Sequence, residues 1–383
     1  MKIIKTTAQL ARQCEAFASS AYVTVDTEFL RETTFWPILC LIQLAGDDEA
    51  VIIDPMADGI DLQPFYDLMA DTSVIKVFHA ARQDIEIIYM QGGIIPAPLF
   101  DTQVAAMVCG YGDSIAYNQL VSKITGAQID KTSRFTDWSR RPLTEQQLNY
   151  ALADVTHLRD VYESLEAQLE RQGRRSWVAE EMAILETPET YDLPVDLAWT
   201  KLKMRVRKAR DLAVMQSVAA WREREARDRD QPRRRVLKDD AIYEIAQQQP
   251  RDEAALARMR SLPRGFEKSK QAAGLLDAVR EAMAIDTDDL PKVPKPSRSP
   301  EGTFAATELL KLLLKIVAEQ NGVAGKVIAT ADDLEKIAIS DTADVPALSG
   351  WRRELFGNQA LALKRGDLAL GFEDKAIQII ELE

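Results

Sequence analysis

The hydrophobic pattern of this chain changes period once, near Glu186, and that change constrains the fold more than any other feature. Before that point, short apolar runs of period two alternate with stretches of helical period. After it, helical patterns dominate. The first part therefore reads as a mixed α/β structure and the rest as all-α. Residues 22–29 (YVTVDTEF) read as a strand. Residues 38–45 (ILCLIQLA) and 50–54 (AVIID) flank the turn 46–49 (GDDE), which predicts an antiparallel hairpin. Residues 61–70 read as a helix, 74–78 as a short buried strand, and 82–91 and 101–108 as further helices. Thr144-Glu145-Gln146-Gln147 forms a capping box that opens a helix running to Arg171. A hairpin among interleaved helices predicts a mixed sheet covered by helices.

Two proline-bearing stretches divide the remainder of the chain. Residues 187–194 (TPETYDLP) read as one linker and 291–300 (PKVPKPSRSP) as an extended second one. The expected domains are 1–190, 197–285 and 301–383, in keeping with a length of 383 residues. The two helical blocks have similar lengths, as a divergent duplication would, although no residue-level repeat is visible.

The net charge of −12 argues against a nucleic-acid partner until it is divided along the chain. Residues 1–200 hold 15 Lys and Arg against 30 Asp and Glu, and residues 281–383 hold 12 against 18. Residues 201–280 hold 21 against 12, a basic island between acidic flanks. Cys14, Cys40 and Cys109 are odd in number and lack metal-ligand spacing, which excludes a disulfide framework and a cysteine zinc site. His79 and His157 are too few for a histidine-rich one. A hard-metal site built from carboxylates stays open. The N-terminus lacks the apolar core of a signal peptide, and no run approaches 18 apolar residues. A soluble cytoplasmic protein is expected, with no membrane association.

Certain carboxylates stand out by position. Asp26 and Glu28 lie two apart at the end of a strand, so both point to one face. Two adjacent carboxylates repel, and a bound divalent cation is the usual remedy. Asp84 follows a second apolar strand, where the plainer reading is a helix first turn favoured by the macrodipole. Tyr150 and Asp154 are four apart on a helix and share a face beside the apolar stripe of Leu148, Leu152, Val155 and Leu158. Taken singly, each has an ordinary structural reading.

Together, in this order and spacing, they resemble the DEDD superfamily of 3′→5′ exonucleases, in the subclass with Tyr four residues before the last Asp. Within it the chain is similar to the ribonuclease D family. Supporting segments are VDTEFLRE (25–32), WPILCLIQL (36–44), FDTQ (100–103), YNQL (117–120) and KTSRFTDWSRRPL (131–143). The resemblance is specific over residues 1 to 285 and weaker beyond. It implies an RNase H-like α/β exonuclease domain followed by two helical HRDC domains, the second of them divergent. The first HRDC-like block carries Trp199, Trp221-Arg222-Glu223, Ala226, Pro232-Arg233-Arg234, Asp239 and Pro250 in the expected order. Trp221 recurs with Val214 and Val218 at helical spacing and reads as core.

The implied chemistry is two-metal phosphodiester hydrolysis with Mg²⁺ or Mn²⁺. By the resemblance Asp26 bridges both ions, Glu28 and Asp154 complete one site, and Asp84 supports the other through water. Tyr150 orients the attacking water, since a phenol with a reference pKa of about 10 is a poor base at neutral pH. His79 reads as structural. Gln103 and Asn118 are expected to bond the terminal ribose or base. Lys131 and Arg141 flank the loop before the Tyr150 helix and are expected to contact phosphate. Lys203 and Arg207 in one cluster, and Arg233, Arg234 and Arg235 in another, are the expected RNA backbone contacts. The run from Arg222 to Asp230 alternates in sign and reads as a solvated helix face.

The implied activity is that of an exoribonuclease trimming structured RNA such as tRNA precursors. It would release nucleoside 5′-monophosphates and act as a monomer without an obligate protein partner. A DNA 3′→5′ exonuclease and a non-catalytic RNA-binding adaptor are the alternatives. The full carboxylate set with Tyr150 favours an active enzyme, and the HRDC-like segments disfavour a proofreading nuclease.

Overall fold

A computed structural model of the chain describes residues 1–130, 132, 133, 136–293, 300–374 and 376–382. They fall into two compact units. The first joins 1–28, 41–187 and 297–383, and the second joins 29–40 and 188–296.

Six strands of the described residues form one sheet: β1 (Lys2–Ile4), β2 (Tyr22–Leu30), β3 (Ile38–Ala45), β4 (Ala50–Ile53), β5 (Ile75–Phe78) and β6 (Leu99–Asp101). Their order is β1-β4-β3-β2-β5-β6. β3 and β4 pair antiparallel, with Ile42 opposite Ile53 and Ala45 opposite Ala50, while β1 with β4, β2 with β5 and β5 with β6 are parallel. The sheet is mixed, as the hairpin predicts. β3 is buried along nearly its whole length, which is why ILCLIQLA shows no alternation.

Helices α1 (Thr7–Phe17), α2 (Gln63–Ala70), α3 (Arg82–Gly92), α4 (Thr102–Val108) and α5 (Tyr117–Thr125) lead to the long α6 (Glu145–Gln172) and to α7 (Arg175–Leu185). The capping box at Thr144 forms as read, with the Thr144 side chain and Gln147 bonding each other's backbone N–H. At 28 residues α6 is about 42 Å long. It buries Val155, Leu158, Val161, Leu165 and Leu169. Each such side chain contributes roughly 1.5–3 kcal/mol relative to exposure.

Polar contacts set the register of α6 on β2. Thr24, on the same face of β2 as Asp26 and Glu28, donates to the Val155 carbonyl at 2.8 Å. Tyr22, two residues earlier, donates to Glu163 at 2.7 Å and lies 4.5 Å from the Tyr162 ring. From α5, Tyr117 donates to the Ala153 carbonyl at 3.0 Å. The carbonyls on either side of Asp154 are thus both held, and the helix cannot slide.

The last block belongs to the first unit. Its helices α13 (Thr303–Asn321), α14 (Gly325–Ile328) and α15 (Ala331–Ile339) are followed by a terminal hairpin, β7 (Leu368–Glu373) with β8 (Ala376–Glu381). The wholly helical reading of this block therefore needs correction at its end. LALGFE and AIQIIE are β-rich runs joined by a turn in which Asp374 takes a φ of 49°. The block docks through Trp177 and Trp351, stacked 4.1 Å apart at 5°, and through Arg352 with Glu180 and Glu181. The Ala324 N–H donates to Met107 at 2.8 Å, and Arg174 donates to the Asn321 carbonyl at 2.8 Å. Gly110, at φ 83°, leaves room for Gly322, because a Cβ there would lie 2.4 Å from the Gly322 carbonyl oxygen.

The second unit is helical around α8 (Ala209–Asp228), which packs against α10 (Asp239–Gln248) and α12 (Lys270–Ala284). The short α9 (Arg233–Val236) and α11 (Glu253–Leu256) complete it. Trp221 is buried in its core. Gly274 admits Trp221, since a Cβ there would lie 2.8 Å from the indole nitrogen.

Candidate active site

The pleat of β2 puts Asp26 and Glu28 on the face that α6 crosses, and the pinned register brings Asp154 against them. Carboxylate oxygens of these three residues lie within 4.8 Å of one another. Asp84, in the first turn of α3 and buried, accepts a hydrogen bond from Thr27, the residue between Asp26 and Glu28. Asp84 thus joins the group from the β5–α3 side.

Four carboxylates this close, with Asp84 buried and the other three half-buried, cannot all carry charge without a compensating cation. Burial, followed by the charges of Asp84, Asp154 and Glu28, pushes Asp26 far above the usual carboxylate range. Glu28 rises to about 9 through burial and the Asp154 and Asp84 charges. Burial lifts Asp84 and Asp154 to about 7 each. Hydrogen bonds from Thr27 to Asp84 and from Tyr150 to Asp154 oppose the rise. The Tyr150 bond is the interaction that an i, i+4 pair on one helix face permits.

Residues not singled out in the sequence hold this set in place. Ala80 adopts φ 60°, a strained backbone for a residue with a Cβ. The buried Asp101 carboxylate accepts the Ala80 and Ala81 N–H groups at 3.0 and 2.8 Å and so fixes the turn that aims Asp84. Asp101 also caps α4 through the Gln103 N–H. Trp138 is buried and stacks on Tyr150, with ring centroids 6.2 Å apart at 29°. The FDTQ and SRFTDWSRRPL segments contained these residues, but their partners lie far away in sequence.

The remaining expected site residues separate into engaged and open. Arg141 makes two hydrogen bonds to the buried Asp54 carboxylate, at 2.9 and 2.7 Å, and also donates to the Trp138 carbonyl. It braces the loop, where the sequence pointed to a phosphate contact. Gln103 donates to the Ile115 carbonyl at 3.1 Å, and His79 lies within hydrogen-bond reach of the same carbonyl and of Thr102. Asn118 is half-buried in the first turn of α5. Lys131 lies outside the described residues. In the second unit Arg233 is held by the buried Glu223 through two bonds and covers the Phe35 ring at 4.5 Å, so it too has a structural task. Arg234, Arg235, Lys203 and Arg207 are exposed. The alternating run is less a solvated face than expected: Arg222 is buried on Asp239, and Arg227 pairs with Glu223 and Asp192.

A groove of about 630 Å³ opens beside Tyr150, lined by Gln128, Asp130, Ser133, Gln146, Asn149 and His157 among others. Tyr150 thus borders this groove and also bonds Asp154 of the acidic cluster. Among the described residues, no helix is long and apolar enough to cross a membrane.

The chain has close relatives. Residues 1–170 match the family model described as 3'-5' exonuclease, and residues 211–279 match the HRDC domain. Ribonuclease D of Nitrobacter hamburgensis is 59% identical over 381 residues, covering 100% of both chains. Ribonuclease D of Bartonella henselae is 52% identical over 100% of this chain and 94% of its own. The crystal structure of Escherichia coli RNase D, an exoribonuclease involved in structured RNA processing, superposes with a TM-score of 0.83 at 29% identity, covering 95% of this chain and 98% of that one.

Proposed function

The chain belongs to the ribonuclease D family of 3′→5′ exoribonucleases, and on that premise we propose that it trims the 3′ ends of structured RNA such as tRNA precursors by metal-dependent hydrolysis. The observation that carries this reading is the clustering of Asp26, Glu28 and Asp154 within 4.8 Å, with Asp84 bonded to Thr27 between them. An all-oxygen set suits Mg²⁺ or Mn²⁺. Asp26, Glu28 and Asp154 would hold one ion, and Asp26 with Asp84 a second. Such ions would polarise the scissile phosphate, activate a water and neutralise the leaving oxygen.

The protein's own groups supply position. Tyr150 donates to Asp154, which fixes that carboxylate, and the phenol oxygen remains able to accept a hydrogen bond from a water aligned for attack. Thr27 holds Asp84, and Asp101 holds the turn beneath it. Asn118 and the groove beside Tyr150 would receive the terminal nucleotide. The exposed cations Lys203, Arg207, Arg234 and Arg235 would bind the backbone of the RNA body, with Lys131 assigned the same task near the scissile bond. We read the enzyme as a monomer that acts on RNA in the cytoplasm. The last helical block we read as a second, divergent HRDC-like domain on its helix content.

A tRNA carrying extra 3′ nucleotides and a 5′ label tests this. With Mg²⁺ or Mn²⁺ it should shorten stepwise, releasing nucleoside 5′-monophosphates. Chelator or Asp154→Ala should lower the rate at least about 1,000-fold, the equivalent of several kcal/mol at the transition state. Internal cuts, or equal decay of single-stranded DNA, would overturn the reading.

A further inference from the structure

The basic island divides in two. Arg222, Arg227, Arg229 and Arg233 each pair with a carboxylate. Arg210, although cationic, donates to the Ala282 and Ile285 carbonyls at the end of α12. Lys201, Lys203, Arg205, Arg207 and Lys208 are exposed, and among the described residues none has a carboxylate partner. Five cations within eight residues repel one another, so this segment is a standing site for a polyanion.

The same segment encloses an apolar space. A cavity of about 250 Å³ is walled by Trp199, Leu202, Met204, Val206 and Met215, with Arg205 and Thr200 also lining it. Trp199 is only partly buried, Met204 is 51% exposed and Leu197 is 42% exposed. The volume falls below the roughly 300–1,000 Å³ of pockets for drug-sized ligands, in the size class of one planar ring system. An indole wall bordered by unpaired cations is the combination that holds a single-stranded nucleotide: the base stacks, and the flanking phosphates pair.

We propose that residues 199–208 form a nucleotide-binding site for single-stranded RNA, in which the cavity takes one base against Trp199 and Lys203, Arg205 and Arg207 take the adjoining phosphates. The proposal rests on the chain acting on RNA. It adds a base-holding site in the second unit to the phosphate contacts already assigned there.

The test is fluorescence anisotropy with the full-length protein in chelator, where hydrolysis is suppressed. The probes are a 5′-fluorescein 12-mer of uridine and the same backbone with abasic ribose at every position. Wild type should bind the uridine oligomer about tenfold more tightly than the abasic one, as stacking of one base allows. Trp199→Ala should lose that preference, and Trp199→Phe should keep most of it. Where circular dichroism shows Trp199→Ala to be unfolded, Met204→Glu reads the same site from an exposed position. Lys203→Ala with Arg207→Ala should reduce the salt slope by about 1.4, some 0.7 per cation removed. Retained base preference in a folded Trp199→Ala or Met204→Glu, or an unchanged salt slope, would overturn the proposal. So would displacement of the RNA by polyglutamate as effectively as by unlabelled oligouridine, because the surface would then read charge alone. Wild type that shortens RNA while these variants bind like it refutes this site only. Wild type that neither binds nor shortens RNA refutes the functional reading as well.

Discussion

Asp26, Glu28, Asp84 and Asp154 bring together more negative charge than the folded chain can hold alone, and this has a consequence for stability. An unfolded carboxylate titrates near 4, whereas Glu28 stands at about 9 and Asp84 and Asp154 at about 7. Between those values the folded protein keeps protons that the unfolded chain has released. The stability of the chelated protein should therefore fall as pH rises from about 5 to 9. Thermal unfolding in chelator checks this, and Asp26→Asn should flatten the profile and raise Tm at pH 8 by about 2–4 °C. A lower Tm for Asp26→Asn at pH 8 would contradict the repulsion. Tyr150→Phe keeps the ring but removes the bond to Asp154, so kcat should drop about tenfold with KM little changed. Steady-state kinetics on a short oligoribonucleotide separates the two. Much of this was readable from residue spacing, because the period of a strand places Asp26 with Glu28 and that of a helix places Tyr150 with Asp154. Thr27 and Asp101 were not readable as site residues, because their roles are defined by groups 57 and about 20 positions away.

Among the elements, α6 and the loop before it do the most for the site. Trp138 backs Tyr150, and Arg141 joins the same loop to Asp54, the residue after β4. Burial alone would raise the pKa of Asp54, yet the hydrogen bonds and charge of Arg141 hold it below the usual range. Arg141→Ala should accordingly destabilise the protein by about 2–3 kcal/mol, the cost of lost hydrogen bonds to a charged group. The salt slope of RNA binding should not move. Urea unfolding and anisotropy titrations distinguish this bracing role from the phosphate contact expected of an arginine in a loop. Capping box, hairpin and strand–helix alternation were legible because each is a local pattern within a dozen residues. The three-residue strands β1 and β6 were not, being too short to display a period. The β7–β8 hairpin was missed for a different reason. Its runs follow a long series of helices, and pairing across a turn outweighs that context.

On the scale of the whole molecule, the chain returns to its beginning. The last block packs on α4 and α7 through the Trp177–Trp351 stack and the Arg352 pairs. An aromatic pair of this kind adds about 0.5–1.5 kcal/mol beyond its buried area. Trp351→Ala should speed amide hydrogen exchange in α13 and α14 while leaving the α8 amides of the second unit unchanged. Uniform acceleration across all three helices would show that the contact is not local to this interface. The charge balance also takes on meaning at this scale. The acidic first part contains the four clustered carboxylates, and the basic island is part internal ion-pair network and part open cationic segment. Sequence alone determined most of the longer elements and the mixed sheet, because these depend on periodicity and capping along the backbone, and its resemblance to a known family pointed to Asp26, Glu28, Asp84, Tyr150 and Asp154. Only the tertiary structure decided which arginines face solvent, which residues brace the carboxylates, and where the last block rests. Those outcomes depend on which distant surfaces meet. A cation written in the sequence carries no mark of whether a buried carboxylate such as Glu223 or Asp54 will reach it.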